Sequence, residues 1–165
     1  AVLPAGVLMA VFAFAAAAAL PIPRSGMIGF IAFGVFYGSG TVATAFFPCD
    51  FGCDPETADP TLPHFLHFTA GTLTYLFTPL SLLLIASAAN SWPNAKALQK
   101  TFLACGVIML AGVLVLFFFP MKSILGLNQR IIEGAALLAM LHCSLYLLMP
   151  RASVNADPSP LAPAS

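Results

Sequence analysis

The 165 residues are 60% hydrophobic and only 7% charged, whereas a soluble domain carries roughly a quarter charged residues. A chain of this length cannot enclose so much apolar surface in a core of its own, so a water-soluble fold is excluded and the bilayer becomes the solvent. Six basic residues balance six acidic ones, which leaves no positive field to attract nucleic acid and excludes that class of partner.

The chain opens at Ala1 and enters an apolar run, 2–21, without an initiator Met or a basic leader. Two explanations are expected for such a start: removal of a signal peptide, or omission of an earlier helix. Further apolar runs lie near 27–47, 64–88, 101–120 and 130–149. Each has about 20 residues, the length that crosses a bilayer as a helix. Barrel strands alternate polar and apolar positions and are ruled out by continuous runs. In lipid the helix is the remaining way to pair the backbone. The expected fold is therefore all-α and integral to the membrane: a bundle of about five transmembrane helices forming one polytopic domain over 1–150. The tail, 151–165, carries several prolines and little apolar content, as a disordered end does.

The separators are legible as chemistry. Pro21 and Pro23 with Arg24, then Pro48 through Pro63, Asn90 to Lys100 and Pro120 to Asn128 end successive runs, because proline and clustered polar residues interrupt a membrane helix. Within the second run, Gly34 and Gly38 form a GxxxG pair that lets a neighbouring helix approach closely. Gly106 and Gly112 are weaker versions in the fourth. Thr78-Pro79 predicts a bend in the third, with nearby hydroxyls re-satisfying carbonyls. Phe117 to Phe119 and the tyrosines Tyr37, Tyr75 and Tyr146 suit lipid contact and helix packing, and Trp92 beside Pro93 suits an interfacial anchor.

Cytoplasmic loops are enriched in Lys and Arg. Arg24, Lys96, Lys100 and Arg151 fall on one side of the expected bundle. Lys122 and Arg130 fall on the other, with a loop from Pro48 to Pro63 that holds four acidic residues and no basic one. The first side is expected to be cytoplasmic, as is the tail, and the Cys49–Cys53 loop to lie on the outer side.

Polar chemistry concentrates at the outer end. Cys49 and Cys53 flank a Gly-containing stretch on the oxidising side, where a disulfide is permitted if the turn brings the Cα atoms within about 7 Å. The alternative is a metal held by Cys49, Cys53, His64 and His67. The histidines are spaced too closely for a usual zinc pattern and a disulfide would consume both thiolates, so no metal is assigned. His64 and His67 lie one turn apart on a helix face. They suit a lipid head group or proton transfer, or simply a water–lipid boundary. The segment Leu127-Asn-Gln-Arg-Ile-Ile-Glu133 enters the fifth run, where Arg130 and Glu133 have the spacing of an ion pair. An ionisable residue inside a membrane helix is a functional candidate by default. Asp50, Asp54, His64, His67, Gln129, Arg130 and Glu133 together make a candidate outer-face ligand or lipid site. Hydrolase, nucleotide and zinc-protease signatures are absent from the sequence. No catalytic residue and no cofactor is assigned, and His142, deep in the fifth run, lacks a second ligand for haem.

The Gly-rich second run ending in Phe47-Pro48-Cys49-Asp50, the following Gly52-Cys53, the His64 region and Gly126-Leu127-Asn128-Gln129-Arg130 with Glu133-Gly134 resemble the domain-of-unknown-function 998 family of prokaryotic multi-pass membrane proteins. The resemblance covers roughly residues 4–149. It implies a six-helix fold whose first helix precedes Ala1, and it implies no activity. The leading expectation is a non-catalytic accessory or scaffold subunit that packs against membrane lipids and partner chains. The alternatives are a lipid-active enzyme or small transporter working through the outer cluster, and a metal- or haem-binding membrane protein.

Overall fold

A computed structural model describes residues 2–20, 22–53, 59–119 and 122–149. Five helices follow one another along the chain: α1 (Val2–Ala19), α2 (Arg24–Phe46), α3 (Leu62–Ala89), α4 (Lys96–Phe118) and α5 (Lys122–Leu148). At 1.5 Å per residue their 18 to 28 residues extend about 27 to 42 Å, close to or beyond the ~30 Å hydrocarbon thickness. The described residues contain no strand. The protein is an all-helical integral membrane protein.

Local chemistry sets the helix ends. Pro23 stands at the N-cap of α2, just after the first run has stopped. Thr61 caps α3 with its hydroxyl accepting from the His64 N–H, and a proline follows in the first turn, where a missing N–H is harmless. The spans agree with the apolar runs within a few residues, except that α4 begins at Lys96 and α5 at Lys122. The segment expected to be a polar turn before residue 130 is therefore already helical. Hydropathy marks the hydrocarbon region, whereas helical pairing continues past it. Asn128 is accommodated because its Nδ2 donates to the Gly112 carbonyl on α4 at 2.9 Å. The expected disordered tail, 151–165, and Asp54 lie outside the described residues.

Each helix packs against its neighbour in sequence: α1 on α2, α2 on α3, α3 on α4 and α4 on α5. Phe30, Phe33, Leu82, Ile85, Phe102, Met109, Ile132 and Met140 are fully or almost fully buried among them. Leu8, Val11, Leu103, Val107, Leu138, Leu141 and the Phe117 to Phe119 run are exposed, the arrangement expected where the surroundings are lipid. Small residues allow the close approaches. A Cβ on Gly38 would meet Ala10 of α1 at 2.7 Å, and one on Gly29 would meet Ile85 of α3 at 2.7 Å. α3 runs on through Pro79, with the Thr78 and Ser81 hydroxyls bonded to the Thr74 and Thr78 carbonyls beside it.

One feature of α2 has no counterpart in the sequence expectations. Between Phe33 and Gly38 it widens into a π-helical turn. The Ser39 N–H and hydroxyl both reach the Gly34 carbonyl, five residues back. Such an insertion rotates the side chains that follow it. In this helix Gly34 and Gly38 face Phe14 and Ala10 of α1, while Tyr37 reaches toward α5.

Candidate functional site

The loop between α2 and α3 is organised by a single tight turn. The Cys53 N–H donates to the Asp50 carbonyl at 2.9 Å, and Gly52 at the third position has φ +84°, the left-handed geometry that favours glycine in a type II turn. This turn returns the chain on itself and brings Cys49 and Cys53 together, Cα to Cα 5.1 Å, as a disulfide.

Asp50 then ties the turn to the start of α3. Its carboxylate accepts from the Thr61 hydroxyl at 2.6 Å and from the Thr61 N–H at 3.0 Å. These two bonds, the hydroxyl first, hold the Asp50 carboxyl below the usual carboxylate range. The Asp50 N–H donates to His64 Nδ1 at 3.0 Å, which requires a lone pair there and puts the ring proton on Nε2. Asp50 Oδ2 also lies 3.5 Å from that Nδ1. With a lone pair on each atom, this approach is a by-product of the two flanking bonds and not an ion pair. His64 is buried, its ring beside Phe68. His67 turns the other way, its Nδ1 2.8 Å from the Phe47 carbonyl, so Nδ1 donates.

The two histidines therefore do not converge. Cys49, Cys53 and His67 gather their ligand-type atoms within 4.8 Å of one another, and His64 is not among them. With both sulfurs in the disulfide, the only lone pair this group offers a metal is that of His67, so the four-ligand set is not assembled in the oxidised protein.

The second half of the expected cluster lies elsewhere. Because α5 starts at Lys122, Glu133 sits three turns into the helix and not at its mouth. The Tyr37 hydroxyl donates to Glu133 Oε2 at 2.6 Å, and Tyr75 of α3 lies near the same carboxyl. Tyr75 follows His64 by 11 residues on α3 (75 − 64), about 16 Å along the axis. The expected outer-face site thus divides into a loop clamp and an intramembrane group. Arg130 does not pair with Glu133; its guanidinium donates to the Gly126 carbonyl at 3.0 Å. Gln129 is exposed. His142 contacts Thr101 of α4, Nδ1 to Oγ1 2.8 Å.

Several participants escaped the sequence reading. By sequence Tyr37 and Tyr75 suit lipid contact and packing, yet Tyr37 bonds to Glu133 and Tyr75 lies near it; the available signal is their position, each near the middle of its run as Glu133 is in α5. Thr61 is the common partner of Asp50 and of the helix cap, and its signal was the Thr-x-Pro-His start of α3. At the opposite end of the bundle Trp92 stacks between Phe30 and Tyr146, and the Tyr146 hydroxyl donates to the Pro93 carbonyl at 2.7 Å. This brings the beginning of α2, the α3–α4 connection and the end of α5 to one end.

Comparison with curated proteins and with solved structures gives no match. One family model, "Protein of unknown function (DUF998)", matches residues 1–145. That match takes in all five helices up to the last turn of α5, with the loop clamp and the Glu133 group, and the chain belongs to this family.

Proposed function

We propose that the protein is a non-catalytic membrane component, an accessory or scaffold subunit that packs against a larger membrane assembly or against lipids. The observation that carries this reading is the use made of the polar side chains. Asp50, Thr61, His64 and His67 bond to one another or to nearby backbone, Arg130 bonds to its own helix and Asn128 to the neighbouring one. These bonds fix helix ends and helix contacts; they do not converge on a space where a substrate would react. The glycine contacts of α1 with α2 and of α2 with α3 serve the same end. We further infer that the Cys49–Cys53 loop faces outward, on the balance of basic residues, and that the membrane is a prokaryotic inner one, as the family resemblance implies.

The second reading, a lipid-active enzyme or small transporter, draws on one observation, the Glu133 carboxyl within the membrane. Purification from native membranes in mild detergent distinguishes the two. A stoichiometric partner chain is expected, whereas a stable lone monomer that turns over a lipid, or catalyses flux in vesicles, overturns the scaffold reading.

A further inference from the structure

We propose that Glu133, with Tyr37 and Tyr75, is a proton-binding site inside the membrane, and that its occupancy decides how firmly α5 is tied to α2. The site goes beyond the scaffold reading and does not depend on it.

A carboxylate at this depth is expensive unless a charge or strong donors compensate it. The nearest cation on its own helix, Arg130, is turned back to Gly126. α2 faces the carboxyl with Tyr37 and α3 with Tyr75. Along α4 the single titratable residue between Thr101 and Phe118 is Cys105, α1 has none, and on α5 beyond Glu133 the next is His142, bonded to Thr101. The ionised carboxyl is therefore balanced by one phenol donor, Tyr37, with Tyr75 nearby, and by no positive charge among the described residues. Taking up one proton from interfacial water at a carboxylate oxygen removes the uncompensated charge. It also turns a charge-assisted bond with Tyr37 into a weaker neutral one. The step is reversible and involves no other reactant.

The geometry makes that bond consequential. α2 and α5 are not in extended backbone contact, and Tyr37 to Glu133 is the single hydrogen bond between them among the described residues. Tyr37 also stands inside the π-helical turn Phe33–Gly38. Reverting that turn to α-helical pairing shifts the register by one residue and rotates Tyr37 by about 100°, away from the carboxyl. Proton binding and the conformation of the turn are thereby linked through one contact.

The test uses the full chain in lipid nanodiscs, by infrared titration and by amide hydrogen exchange. A reversible protonated-carboxyl band is expected that is missing in Glu133→Gln and whose midpoint is displaced about tenfold in proton concentration in Tyr37→Phe. Exchange across residues 33–38 is expected to be several-fold faster in Glu133→Gln than in the parent when the carboxyl is ionised, and equal when it is protonated. Tyr37→Phe, which keeps the carboxyl, guards against a folding defect of the first variant. A band that persists in Glu133→Gln, a midpoint unmoved by Tyr37→Phe, or an exchange ratio that does not change with pH overturns the proposal.

Discussion

Asp50 shows how much one side chain can organise at a membrane boundary. Its backbone carbonyl closes the turn to Cys53, its N–H engages His64 and its carboxylate holds Thr61. The carboxyl titrates below its ordinary value because Thr61 donates twice to the ionised form. Its folded value being depressed, the stabilisation is complete above the unfolded value near pH 4 and is lost as pH falls through the lower folded value. Asp50→Asn places an amide donor against a backbone donor and lacks this contribution at every pH. The variant is therefore expected to melt below the parent at neutral pH, with the gap between the two closing as the pH drops below about 4. A gap that stays constant into acid would show that Asp50 acts otherwise. The acidic residue and the cysteine spacing were readable from sequence. Its partner Thr61, 11 residues away (61 − 50), was not, because no local pattern predicts which hydroxyl a loop will fold back upon.

At the scale of the helix, α2 combines a feature the sequence displays with one it hides. The Gly34/Gly38 spacing announces a close approach, and the structure supplies the neighbour: Gly38 rests on the backbone of Ala10, and a Cβ on Gly6 would meet the Gly38 carbonyl at 2.9 Å. Gly38→Ala has to push two backbones apart and is expected to lower stability by about 1–3 kcal/mol in thermal unfolding in detergent. Gly134 has open space where a Cβ would go, so Gly134→Ala should be neutral or stabilising by up to about 1 kcal/mol. Equal losses in both would mean that glycine contacts do not govern the packing. The π-helical turn gave no sign in the sequence: the apolar run passes through Phe33–Gly38 without a break. The early start of α5 was hidden too: Asn128 reads as a turn residue until Gly112 of another helix offers it an acceptor.

For the molecule as a whole, the inferred orientation is testable through the loop disulfide. After mild reduction of intact cells, a membrane-impermeant maleimide is expected to label Cys49 and Cys53, while Cys105 and Cys143, both buried, stay unlabelled until the protein is unfolded. Labelling of the loop only after the membrane is breached would reverse the orientation. The sequence by itself determined that this is a lipid-embedded bundle, approximately where its five spans lie and which few polar residues merit attention, because hydrophobicity and span length are additive along a chain. Only the tertiary structure decided how those polar residues are grouped. It sent His64 to Asp50 and His67 to a carbonyl, left Arg130 on its own helix, and joined Glu133 to Tyr37 of another helix. Each of those pairings depends on helix rotation and depth, and these are fixed by packing between segments distant in sequence, not by the composition of any one of them.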